Sequence, residues 1–169
     1  MSNRTSAYIV TGASRGLGRE IALLSAKKGA PLFLVARESK DLESIKQQCL
    51  DINRDVYKIS ADLGSSTDLR TTINIIESEL PKDISKLYHF NNASIIEPIS
   101  EMKDLEYDNI DNLIKVNLTA AFYLSSRLMS IVNKQQTKLI ITNISSGVSK
   151  TPIEGWSGYC VSKAGLNML

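Results

Sequence analysis

The sequence predicts a doubly wound α/β domain, a parallel β-sheet between two layers of helices. Three observations predict it. Five short apolar runs, rich in β-branched or aromatic residues, recur along the chain. Longer mixed stretches with helical spacing separate them, each long enough to cross back over a sheet. No internal repeat, linker or low-complexity tract divides the 169 residues, so a single domain over 1–169 is expected.

The elements follow in order. "AYIV" (7–10) is the first strand, and after it Leu17, Ile21, Leu24 and Ala26 are expected to line one helical face. "LFLVA" (32–36) is the second strand, followed by Leu42, Ile45 and Cys49 at i, i+3, i+7. "VYKISA" (56–61) is the third, and Leu69, Ile73, Ile76 and Leu80 mark the helix after it. "LYHF" (87–90) is the fourth. A single long helix is then expected from about Tyr107 to Asn133, with Ile110, Leu113, Val116, Leu124 and Leu128 at helical intervals. "LIITNI" (139–144) is the fifth strand, and a last helix has just begun when the sequence ends at Leu169. Runs this apolar suit strands buried on both faces.

Hydrophobic residues make up 43% and charged residues 22%, ordinary globular usage in a chain long enough to bury a core. A net charge of +2 gives no reason to expect nucleic acid or an anionic membrane as partner. No apolar run approaches the ~20 residues that span a bilayer. The opening "MSNRTSAYIVTG" enters a strand pattern directly, without the layout of a signal peptide. Cys49 and Cys160 lack C-x-x-C or Cys/His ligand spacing, so free thiols and no metal site are expected. A soluble, cytoplasmic protein is the expectation.

After the first strand comes "TGASRGLGRE", with Gly12, Gly16 and Gly18 spaced G-x-x-x-G-x-G. A strand that turns sharply into a helix there points backbone N–H groups and a helix dipole at a diphosphate. Gly12 allows the tight turn, Gly16 close approach of the backbone, and Gly18 close packing of the helix. Arg37 ends the second strand, nineteen residues beyond Gly18. A site for an unphosphorylated ribose favours Asp or Glu at this place, whereas a guanidinium suits a 2′-phosphate. With Arg15 inside the glycine turn, two arginines flank the expected adenosine ribose, favouring NADP(H) over NAD(H). Asp62, after the third strand, is a candidate acceptor for the adenine amino group and equally a plain loop carboxylate.

Further along, Asn117 falls within the long fourth helix, Ser146 follows the fifth strand, and Tyr159 and Lys163 stand four apart on one helical face. With "TGASRGLG" (11–18) and "NNA" (91–93), these residues make the chain resemble the short-chain dehydrogenase/reductase family, along its whole length. Within that family "SSGVSKTPIEGWSGYCVSKAGLNML" is similar to the sepiapterin reductase and benzil reductase branch. The resemblance implies a Rossmann-type, three-layer fold and an NADP(H)-dependent reduction of a small carbonyl, a ketone, dicarbonyl or pterin-like compound. It implies Asn117, Ser146, Tyr159 and Lys163 as the catalytic set. Gly12, Ser14, Arg15, Gly16, Leu17, Gly18, Arg37, Asp62, Asn92, Ala93, Tyr159 and Lys163 become the cofactor contacts.

The chemistry needs those residue types. Reduction requires a hydride from the nicotinamide and a proton for the developing alkoxide. A free phenol with pKa near ~10 delivers a proton poorly at neutral pH, and a nearby ammonium favours the phenolate. Tyr159 is then the acid and Lys163 both tunes it and holds the nicotinamide ribose. Ser146 hydrogen-bonds the substrate oxygen. By resemblance Asn117 holds a water that links Lys163 to solvent. Ser94 departs from the family's usual glycine, either crowding the site slightly or pointing away. Members of the family are also longer, which implies that the chain is truncated after its catalytic pair. The last strands and the segment covering the nicotinamide would then be missing, and the fifth strand would be a sheet edge. The resemblance implies a homodimer or homotetramer for the full-length form. The competing reading is a non-catalytic dinucleotide-binding remnant of such an enzyme.

Overall fold

The computed structural model describes residues 6–169. The opening segment 1–5, on which the reading of the N-terminus partly rests, lies outside the described residues. Strands β1 (Ser6–Thr11), β2 (Leu32–Ala36), β3 (Val56–Ser60), β4 (Lys86–Asn91) and β5 (Lys138–Asn143) form one sheet in the order β3-β2-β1-β4-β5. Every pairing is parallel. The chain therefore winds outward from β1 to β3, then returns to build on the other side of β1. The strand order reverses between β1 and β4, the place where open parallel sheets bind ligands beyond their carboxyl ends. The expected architecture is the observed one.

Helices α1 (Gly16–Ala26), α2 (Lys40–Leu50), α3 (Ser66–Glu79), α4 (Tyr107–Ile114), α5 (Ala120–Gln135) and α6 (Ser157–Asn167) complete the layers. Two cores result, one on each face of the sheet. Ala7, Ile9, Phe33, Val35 and Leu87 pack on Leu69, Ile73 and Ile76 of α3 and Leu124, Leu128 and Ile131 of α5. Val10, Leu32 and Leu34 pack on Ala22 and Ala26 of α1 and Leu42, Ile45 and Cys49 of α2. All of β2 is buried because its alternate residues serve both cores. β5 pairs with β4 alone, as the sheet edge expected of it, and stays half-buried after Lys138.

Two helices differ from the reading of the sequence. In α1, Leu17 and Leu24 are exposed, and the buried face is Gly18, Ala22, Ser25 and Ala26. Small residues win that face because α1 lies close against the turn it springs from; a Cβ on Gly18 would collide with the Gly12 carbonyl. The long fourth helix is also not one α-helix. A π-turn over Lys115–Thr119 separates α4 from α5, and it carries Asn117, 2% exposed. The Asn117 amide anchors this turn to the loop after β4: Nδ2 donates to Ile95 O at 2.7 Å and Oδ1 accepts from Ile95 N at 2.8 Å. Apolar spacing alone does not reveal the extra residue, because Leu113, Ala120 and Leu124 still reach the interior on either side. Among the described residues no helix is long and apolar enough to cross a membrane.

Candidate active site

A cleft of about 650 Å³ opens at the carboxyl end of the sheet, where the strand order reverses. Gly12, Ser14, Arg15, Gly16 and Leu17 form one wall, Ala36, Arg37 and Asp62 another, and Asn92 to Ile95 the third. The structure thus gathers most of the sequence-predicted cofactor contacts around one space. Gly18 lies behind the turn, and Tyr159 and Lys163 are not part of this lining.

The turn is built by hydrogen bonds as well as by glycines. Gly12 has φ +66°, and a Cβ there would come within 2.8 Å of Ala93 Cα. Gly16 has φ +56° with open space where a side chain would project, so its backbone can be approached closely. Thr11 Oγ1 donates to Phe90 O at 3.2 Å and accepts from the N–H groups of Asn92 and Ala93 at 3.1 Å each. Asn92 Nδ2 returns hydrogen bonds to the carbonyls of Thr11 (2.9 Å) and Gly12 (3.2 Å). The Asn92 side chain is therefore spent on holding the turn, while Asn92 and Ala93 still line the cleft. Thr11 escaped the sequence reading; its signal was its place directly before the first glycine.

Electrostatics favour an anion here. The Ser39 and Ser65 side chains cap α2 and α3, and each of those helices has acid in its first turn. α1 has neither a side-chain cap nor an acidic residue in its first turn, so its N–H groups and positive dipole end face the cleft unanswered. Arg15 and Arg37 are exposed on the lining, and among the described residues neither guanidinium enters an ion pair or hydrogen bond. Asp62 Oδ1 accepts from Gly64 N at 2.9 Å, closing its own loop, and the residue remains exposed to the cleft. Ser94, too, is exposed on the lining rather than wedged against the glycine turn.

The second group of residues stands on α6 and the end of β5. Lys163 is 2% exposed, and its Nζ donates to Ile144 O at 2.8 Å and lies 5.6 Å from the centre of the Tyr159 ring. Burial pulls this amine down to about 8. Tyr159 is half-buried, with Trp156 packed edge-on against it at 6.0 Å between ring centres. Ser146 leads into the short turn Gly147–Ser149, and its Oγ makes no capping bond there. Asn117 joins this group through Ser162: Asn117 Nδ2 donates to Ser162 Oγ at 3.0 Å, and Ser162 Oγ donates to Tyr159 O at 2.8 Å. Among the described residues no hydrogen bond joins the Ser146, Tyr159 and Lys163 side chains directly to one another. Ser162, fully buried between Tyr159 and Lys163, was not singled out from the sequence, where a serine in a helix carries little signal.

The family model for short chain dehydrogenases matches residues 6–169. The benzil reductase ((S)-benzoin forming) of Bacillus subtilis (strain 168) is 33% identical over 163 residues, 95% of this chain and 63% of that protein. The sepiapterin reductase of Bos taurus is 28% identical over 170 residues, 95% of this chain and 64% of that protein. The chain thus spans less than two thirds of the length of these relatives. Among solved structures, a metagenomic short-chain oxidoreductase in complex with NADP superposes with a TM-score of 0.85 at 27% identity, covering 97% of this chain and 72% of that one. A short-chain dehydrogenase from Sphingobium yanoikuyae in complex with NADPH gives 0.82 at 28% identity, covering 97% and 62%. With the family model matched from the first strand to the last residue, the chain belongs to the short-chain dehydrogenases.

Proposed function

We propose that the protein is an NADP(H)-dependent oxidoreductase that reduces a small ketone, dicarbonyl or pterin-like carbonyl to an alcohol. The observation that carries this reading is the cleft: an uncapped helix end over an open glycine turn, faced by two unpaired guanidiniums. A diphosphate fits the turn, where Gly16 leaves room and the α1 N-terminus has no side-chain cap. A 2′-phosphate fits between Arg15 and Arg37, each able to donate in bidentate fashion. The names of the relatives and the bound neighbours support both the reaction class and the cofactor.

When bound, the nicotinamide supplies the hydride. The protein's own part is to place and protonate the substrate. Ser146 Oγ, uncommitted in its turn, donates a hydrogen bond to the substrate oxygen and polarises it. Tyr159 gives that oxygen its proton. Lys163, with an amine brought down to about 8, can pass a proton on near neutral pH and so restore the phenol. The Ile144 carbonyl fixes the ammonium, and the family resemblance gives the same amine the nicotinamide ribose to hold. Asn117 acts here as a tie rather than as a free amide, since Ile95 and Ser162 engage both its hydrogens and its oxygen. Any water it holds for the relay is then held through the backbone of the π-turn.

We further propose self-association as a dimer or tetramer, which the resemblance implies, and a cytoplasmic location, which the composition and cysteine usage suggest. Phe122 and Met129 on α5 and Val161 on α6 are exposed apolar residues consistent with the former. The test is NADPH oxidation with a panel of small diketones and pterins, in the protein carried to the length of its relatives. Carbonyl-dependent oxidation supports the proposal. Tight NADPH binding with no turnover on any carbonyl would favour the non-catalytic reading.

A further inference from the structure

We propose that Lys58 sets the cofactor preference by holding the Glu38 carboxylate out of the 2′-phosphate position; this rests on the NADP(H) reading above. Glu38 directly follows Arg37 and, with Asp41, lines the same cleft. An acid beside the phosphate would repel it, and an acid at the end of the second strand is the group that binds an unphosphorylated ribose. The chain therefore carries both preferences side by side, and something must silence one of them.

Lys58 does so from the neighbouring strand. It stands opposite Leu34 in the β2–β3 register and is not among the residues lining the cleft. Its Nζ donates to both oxygens of Glu38 at 3.2 Å and to Glu43 Oε2 at 2.8 Å. Lys46 reaches Glu43 on its other oxygen at 3.6 Å. Four charges thus alternate in sign and sum to zero, and both Glu38 oxygens are turned to an ammonium. Arg37, one residue away, is left without a partner and free for a phosphate. An exposed ion pair adds little to stability, but position rather than stability is at stake. Lys58 is a positioning residue: it acts through Glu38.

The experiment is a set of NADPH and NADH titrations followed by nucleotide fluorescence, with thermal melts to verify folding. Lys58→Met is expected to lower the NADPH-to-NADH affinity ratio about tenfold, by releasing one unit charge beside the phosphate. Glu38→Gln alone should leave the ratio within about twofold of wild type, whereas adding it to Lys58→Met should return the ratio to that range, a non-additive coupling that a merely structural lysine would not show. Lys58→Arg should keep the wild-type ratio, because the guanidinium can hold the same carboxylates. An unchanged ratio in a folded Lys58→Met protein overturns the proposal. So does a fall that Glu38→Gln fails to rescue, which would assign Lys58 a direct contact with the nucleotide. Should Lys58→Met not fold, Lys58→Gln with and without Glu38→Gln gives the same comparison. Arg37→Asp separates this from the parent reading. If wild type prefers NADPH and Arg37→Asp abolishes that while Lys58→Met changes nothing, only the Lys58 proposal falls. If wild type shows no preference, both fall.

Discussion

Acid should destabilise this protein through one residue. His89 is the only histidine in the sequence, is 1% exposed in the middle of β4, and among the described residues finds no hydrogen-bond partner for either ring nitrogen. Burial pulls its pKa down to about 4, with the Asn91 side chain acting weakly in the opposite sense. The folded value lies below the unfolded one near ~6.5, so the unfolded state takes up the proton first. Stability is then complete above about pH 7 and falls as the pH drops from 6.5 toward 4. At pH 5 the linkage costs about 2 kcal/mol relative to pH 7, a large share of a small domain's stability. Lys163 adds nothing in this window, because its amine is protonated in both states below about 7. The assay is urea unfolding at pH 7 and pH 5, for wild type and His89→Leu. The variant should lose most of the pH dependence, with its two unpartnered nitrogens gone. An equal loss of stability at pH 5 in both proteins would refute the assignment to His89.

Other predictions follow from the same geometry. Arg37→Asp should lower NADPH affinity at least tenfold and leave NADH affinity equal or improved, as read by parallel titration; an unchanged ratio would show that Arg37 does not meet the phosphate. Thr11→Val should cost about 2 kcal/mol in urea unfolding, because two N–H groups of the turn lose their acceptor, and should also weaken NADPH binding. Wild-type stability in Thr11→Val would deny Thr11 its part in holding the turn. Lys163→Ala should weaken both NADPH binding and turnover, since in the proposed mechanism the same amine serves ribose and proton. A loss confined to turnover would separate it from the ribose.

The fold was largely legible because its signals are redundant. Five apolar runs, helical spacing between them and the glycine turn all point to one topology, and the strands fall within a residue or two of where the runs lie. What failed was local. Leu17 and Leu24 have the spacing of a buried face, yet the glycine turn pulls α1 so close that only the small Gly18, Ala22, Ser25 and Ala26 fit beneath it. The π-turn at Asn117 preserves apolar periodicity on both sides and so leaves no trace in spacing. At the site, charged and glycine residues announced themselves, whereas Thr11 and Ser162 did not. Their hydroxyls matter because distant segments converge on them, Asn92 and Ala93 on one and Asn117 on the other. Glu38 and Lys58 were silent for the same reason, since neither strand alone shows the pair.

The central claim, proton delivery by Tyr159 beside a cleft for NADP(H), is tested most directly by Tyr159→Phe. Steady-state reduction of a diketone that wild type accepts would be measured alongside an NADPH titration. Removal of the phenolic hydroxyl leaves the glycine turn, both arginines and the Lys163–Ile144 bond in place. NADPH affinity should therefore stay within about threefold of wild type, while kcat falls at least a hundredfold, the range of general acid catalysis. Near-normal turnover by Tyr159→Phe would contradict the account.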